Sequence, residues 1–186
     1  MVQKDLLRDI LRPEGSILIV FDVHRSLYEQ IFNREEFLYA LNAVINSARR
    51  AKVPIIFTRI TPYPQGFQPP NLKLPWRGRF RPEGAELIVS PKPEDIIIDK
   101  NTWSLFVGTN VERLLINSHR YTVVFTGIAT EVGIETSARH AYTLGFIPVI
   151  ISDAVSSYDK EAHERSLANM KIFFPVITSK ELENYW

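Results

Sequence analysis

The chain contains no cysteine, and among its 186 residues that absence excludes the most chemistry. Without a thiol there are no disulfides, no thiolate metal ligands and no thiol nucleophile. A charge excess of one sign is missing too. Twenty-two basic and 21 acidic residues leave a formal charge of +1, so nothing electrostatic favours nucleic acid or an acidic membrane as a partner. No run approaches the ~18 apolar residues of a membrane span. The opening stretch MVQKDLLRDILRPEGS sets acids among its leucines where a signal peptide would have an apolar core. A soluble, cytoplasmic protein is expected.

Familiar signatures are absent as well. There is no GxGxxG after a strand, no GxxxxGK[ST], no GxSxG and no HExxH. The four histidines, at 24, 119, 140 and 163, show no metal-ligand spacing, and His119 and His140 read as surface or cap residues of helices. Neither a metal nor a cofactor is expected.

What is present is a rhythm. Six short apolar runs, at 16–22, 53–58, 95–99, 121–126, 146–152 and 173–178, are rich in Ile and Val and nearly continuous, as strands buried on both faces should be. Helical patterns lie between most of them. One follows Asn33, with Glu36 completing a capping-box-like start and Phe37, Leu41, Val44, Ile45 and Ala48 on one face; a second starts at Thr109, and a fourth runs from Asp159 to about Lys171. The third lies in TGIATEVGIETSARHAYTLGF (126–146), with Thr130 as N-cap and a small-residue stripe of Ile134, Ala138, Ala141 and Gly145. Gly133 would then sit in a first helical turn, where glycine costs roughly 1 kcal/mol relative to alanine.

Alternating strands and helices predict a single α/β domain over 1–186: a doubly wound, six-stranded, mostly parallel sheet with helices on both faces. Sites in such folds lie beyond the carboxyl ends of the strands, where strand order reverses, which directs attention to Asp22, Thr58 to Thr61, Asp99 with Lys100, and Gly127 to Gly133. Asp22 follows ILIVF directly and reads equally as a polar cap or a catalytic carboxylate; Lys100 follows IIID, where a surface lysine is the plainer reading. Residues 59–94 hold eight of the twelve prolines and are too long for an ordinary connection, so they read as a lid or an interface arm.

SILIVFDVH, IIIDKNTWSLFVGTNVERLL and, above all, VVFTGIATEVGIETSARHAYTLGFIPVIISDAVSSYD together resemble the isochorismatase-like hydrolases, also called cysteine hydrolases, over essentially the whole chain. The resemblance implies that Asp22 and Lys100 are the catalytic aspartate and lysine, that Gly133 stands where the family's nucleophilic cysteine would be, and that a cis peptide joins Ile128 to Ala129 beside the substrate. Arg59, Lys73, Arg77 and Arg79 are candidates to meet substrate carboxylates, and Trp76 to cover a ring. Thioester chemistry needs a thiol, whereas isochorismatases proper, which this chain resembles in its glycine, hydrolyse a vinyl ether by protonating it. The expectation is a cofactor-free, homo-oligomeric hydrolase of isochorismate or a related carboxylated ether, with Asp22 as general acid. The alternative is an inactive binding or assembly protein. Two departures from the family pattern stand out: Ile60 near the place of a substrate-contacting glutamine, and His24 in place of the glutamine two residues after the aspartate.

Overall fold

The computed structural model describes residues 2–70 and 83–186. Six parallel strands form one sheet: β1 (Ser16–Phe21), β2 (Ile55–Ile60), β3 (Ile96–Lys100), β4 (Thr122–Ile128), β5 (Ile147–Ser156) and β6 (Val176–Ile177), in the order β3-β2-β1-β4-β5-β6. Among the described residues seven α-helices accompany them: α1 (Val2–Ile10), α2 (Arg25–Tyr28), α3 (Arg34–Arg50), α4 (Val111–Asn117), α5 (Glu135–Thr143), α6 (Lys160–Met170) and α7 (Ser179–Leu182). The doubly wound architecture expected from the alternating runs is present, and every strand pairing is parallel.

Alternation along the strands divides the core in two. Leu18 and Val20 of β1 face a cluster with Phe37, Leu41, Val44 and Ala48 of α3 and Leu182 of α7. Ile17, Ile19 and Phe21 face the opposite layer, with Leu115 of α4, Ala138 and Ala141 of α5 and Met170 of α6. Helix α3 forms where its apolar residues recur at three and four, with Glu35 and Glu36 in its first turn and Arg49 and Arg50 in its last, matching the helix dipole. Among the described residues no helix is long and apolar enough to cross a membrane.

Several local expectations need correction. Asn33 is the N-cap of α3, but its side chain accepts from Ser156 Oγ and caps no backbone amide. Helix α4 is capped at Asn110, one residue past Thr109, whose hydroxyl donates to Leu105 O at 2.6 Å. Thr130 is not a cap: residues Thr130–Ile134 form a π-helical turn ahead of α5, and Thr130 Oγ1 is hydrogen-bonded to His163 Nδ1. Gly145 leaves the buried stripe; it is exposed with φ +89° and ends the helix in a conformation that suits glycine. His119 lies in the turn after α4, also at positive φ. The last apolar run yields only two strand residues, with Phe173 exposed in the preceding turn. Strand β3 is an edge strand, so Ile97 is exposed and burial on both faces fails there.

Strand order reverses between β1 and β4, and the ends of these two strands therefore form the crevice of the fold. Phe21 pairs in register with Gly127. A Cβ on Gly127 would stand 2.1 Å from Phe21 O, and its φ is +116°, so the strands can run this close only with glycine there.

Candidate active site

Asp22 sits where β1 ends, at φ +49°, a left-handed conformation uncommon for a residue with a side chain. Its backbone N–H donates to Thr58 Oγ1 at 2.9 Å, and the Thr58 hydroxyl donates to Asp22 Oδ1. Lys100 Nζ donates to Asp22 Oδ2 at 2.6 Å and to Thr102 O at 3.0 Å, and it lies 4.2 Å from the centre of the Phe21 ring. Three adjacent strand ends, β1, β2 and β3, thus bring one carboxylate, one hydroxyl and one ammonium together. The side chains are nearly closed to solvent, 5% exposed for Asp22 and 2% for Lys100. In such surroundings a hydrogen-bonded charged pair is held far more firmly than one at the surface.

The π-helical turn at the end of β4 completes the arrangement. The Ile128–Ala129 peptide is cis. Val132 N–H and Ile134 N–H both donate to Ala129 O at 3.2 Å, which pulls the chain into the turn and lays Gly133 against Phe21. A Cβ at Gly133 would be 2.2 Å from Phe21 Cε1 and 2.7 Å from Cζ. The phenyl ring therefore fills the volume between Gly133 and Lys100. Behind the turn, Ser157 Oγ donates to Glu131 Oε1 at 2.7 Å, and His163 anchors Thr130 at 2.8 Å while the ring of Phe32 packs on its edge.

Asp22 and Lys100 are joined directly, and Gly133 touches both through Phe21. Ile128 is buried and Ala129 half-buried at the end of β4, beside this group. Arg59 is committed elsewhere: its guanidinium forms a two-pronged ion pair with Asp99, at 2.7 and 2.9 Å, on an exposed stretch of β2 and β3. Trp76 and Arg77, with Lys73 and Arg79, lie outside the described residues. The sequence gives no signal for Phe21 or for the hydrogen bonding of His24, and it points to Thr58 without a role. Thr58 stood among the strand-end positions, but only the packing of β2 beside β1 turns its hydroxyl on Asp22. His24 is 1% exposed; its Nδ1 donates to Ala85 O and its Nε2 accepts from Ile60 N–H at 2.9 Å.

Two open hollows on the described surface lie away from this group, one along β3 beside Thr109 and Leu114, the other between Glu131, Glu135 and α6. Neither is lined by Asp22, Lys100 or Gly133. Among the described residues no three His, Asp or Glu side chains gather as metal ligands.

A family model for the isochorismatase domain matches residues 16–181, which contain every residue of this arrangement. The chain belongs to the isochorismatase family. It is 33% identical over 102 residues to the isochorismatase family protein YwoC of Bacillus subtilis, a stretch covering 54% of this chain and 52% of YwoC. To the ureidoacrylate amidohydrolase RutB of Pantoea ananatis it is 33% identical over 92 residues, 49% of this chain and 37% of RutB. The chain thus spans about half the length, or less, of these curated relatives. Among solved structures, a cysteine hydrolase from Pseudomonas syringae pv. phaseolicola superposes with a TM-score of 0.80 at 21% identity, covering 94% of this chain and 93% of that one. At that identity the likeness speaks to the fold.

Proposed function

We propose that this member of the isochorismatase family is a cofactor-free hydrolase that cleaves a vinyl ether, in isochorismate or a related carboxylated small molecule, without a covalent intermediate. Asp22 delivers a proton to the terminal carbon of the enol ether. Water adds to the oxocarbenium carbon so formed and returns a proton to Asp22, and the hemiketal collapses to a keto acid and an alcohol. Lys100 and Thr58 stabilise the carboxylate that Asp22 becomes once its proton has left.

The observation that carries this reading is the hydrogen-bonded Asp22–Lys100–Thr58 arrangement at the switch point of a chain that has no cysteine. Gly133 takes the place of the family nucleophile in this proposal, and amide hydrolysis through a thioester would require a thiol, which the chain lacks. Homo-oligomerisation and a small-molecule substrate belong to the same proposal, as does a lid role for residues 59–94.

Pyruvate release from isochorismate by the purified chain is the direct test. Asp22→Asn should slow it by about 10²- to 10⁴-fold, the range a positioned general acid supplies. Turnover by that variant at the parental rate would remove Asp22 from the mechanism.

One observation favours a second reading, in which the protein binds without catalysing. The Phe21 ring fills the space beside Gly133, and the Asp22–Lys100 pair is closed from solvent. Saturable binding of carboxylated ethers with no turnover of ethers or amides would support it.

A further inference from the structure

We propose that His24 is a positioning residue for the Asp22 site: its neutral imidazole fastens residues 84–88 across the ends of β1 and β2, and protonation unfastens them. The partners fix the tautomer. A backbone N–H can only donate, so the Ile60 N–H at 2.9 Å needs a lone pair on Nε2; the ring proton is then on Nδ1 and donates to Ala85 O. One ring thereby joins the end of β2 to the returning arm of the proline-rich segment, two residues after Asp22.

Backbone bonds lay that arm along the chain that follows β1. Arg25 N–H donates to Glu86 O at 2.9 Å, Ser26 N–H to Gly84 O at 2.9 Å and Ile88 N–H to Val23 O at 3.1 Å. His24 and Leu87 form an isolated antiparallel bridge. Gly84 has φ +85°, and a Cβ there would stand 3.0 Å from Ser26 N, so the approach depends on glycine. Among these contacts the imidazole is the one side chain that reaches both the arm and β2.

A protonated imidazole carries two donors and no acceptor, and Ile60 N–H would then face an N–H. Among the described residues the charged groups around the ring are Asp22 at the end of β1, Lys100 on β3 and Arg59 on β2, with the exposed pair of Arg25 on α2 and Glu86 on the arm. Burial is the largest influence and lowers the proton affinity of His24 below the ordinary histidine value; Lys100 and Arg59 add to this, while the Ala85 carbonyl and Asp22 oppose it. At neutral pH the fastened form prevails, and acid opens it.

Amide hydrogen exchange on the full chain tests the fastening, between about pH 7.5 and about pH 4.5 and only where circular dichroism shows the fold intact. After correction for intrinsic rates, the amides of Arg25, Ser26, Ile60 and Ile88 should exchange about tenfold faster or more at the acid end in the parent. His24→Ala should exchange fast throughout. His24→Gln, whose Oε1 can stand in for Nε2, should keep Ile60 protected and lose the pH dependence, and it serves if the alanine variant does not fold. Parental protection that stays flat across the range, or parental-level protection at Arg25 and Ile60 in His24→Ala at neutral pH, overturns the proposal.

The catalytic consequence rests on the hydrolase reading; the fastening does not. Where isochorismate is turned over, His24→Ala should raise KM by about tenfold with kcat changed much less, and His24→Gln should restore most of it. Unchanged KM and kcat in His24→Ala would sink the positioning role. Absence of turnover in the parent would instead sink the hydrolase reading and leave the exchange result to decide the fastening.

Discussion

Phe21 and Gly133 share one side chain's worth of space: any Cβ at 133 would lie 2.2 Å from Phe21 Cε1, and the ring, 1% exposed, has nowhere to retreat. This relationship accounts for the glycine in the π-helical turn better than backbone freedom does, because Gly133 is not at positive φ. Gly133→Ala should therefore destabilise the protein, by up to about 2 kcal/mol once the helix-propensity gain of ~1 kcal/mol is set against overpacking of ~1–3 kcal/mol. In a Phe21→Val background the same change should become neutral or stabilising. Urea denaturation of the four proteins gives the coupling, and additivity would show that the ring and the missing side chain do not compete.

The same relationship bears on placing a thiol at position 133. Gly133→Cys alone should be destabilised and inactive toward amides, whereas Phe21→Val with Gly133→Cys makes room for sulfur beside Lys100. Amidase activity in the single variant, assayed by ammonia release, would contradict the steric account.

Asp22 and Lys100 predict a large asymmetry between single and double substitutions. Lys100→Met leaves a buried carboxylate with only Thr58 as side-chain donor, and breaking a buried pair in this way costs about 3–5 kcal/mol. Asp22→Asn with Lys100→Met removes both charges and should recover more than half of that loss. Equal losses in the single and double variants, by denaturant unfolding, would mean that the pair does not act as a unit.

Much of this architecture was legible because both core faces are built from Ile- and Val-rich strands separated by amphipathic helices; β1 and β4, buried throughout, are the clearest cases. Legibility failed where tertiary contact outweighed local pattern. FFPVIT reads as a strand, yet Phe173 turns outward and only Val176 and Ile177 pair with β5. Thr130 looks like an N-cap, but β4 runs directly into a π-helical turn and spends that hydroxyl on His163. Asp22 and Lys100 stood out as polar residues at the ends of apolar runs. Phe21 could not, since its role depends on the approach of a turn more than a hundred residues away.

His163 predicts acid sensitivity of the fold itself. Its Nδ1 is hydrogen-bonded to Thr130 Oγ1 in a buried setting, and burial holds its proton affinity below the ordinary histidine value of 6.5. The unfolded chain then binds more protons between the lowered value and 6.5. Stability is fully present above 6.5 and is lost as pH falls through the lowered folded value, His24 contributing in the same direction. His163→Asn should flatten part of this slope, and His24→Gln with His163→Asn more of it, in unfolding free energies measured across acid pH. An unchanged slope in the double variant would assign the acid loss to other groups.

Gly127 should be the least replaceable glycine of the crevice. An added methyl would meet Phe21 O at 2.1 Å, Phe21 N at 2.7 Å and Phe21 C at 2.8 Å, all backbone atoms of a central strand, and φ +116° is itself unfavourable for a side chain. No rotamer change can relieve contacts with a backbone, so β4 would have to part from β1 at Phe21, carrying the Ile128–Ala129 peptide away from Asp22. Gly127→Ala should cost more than about 3 kcal/mol and lose soluble expression or show a lowered Tm, while Gly108→Ala, which meets nothing within 4 Å but has φ +74°, should cost only about 1 kcal/mol. Equal effects of the two substitutions on Tm would show that positive φ alone matters and that the close approach of β1 and β4 does not.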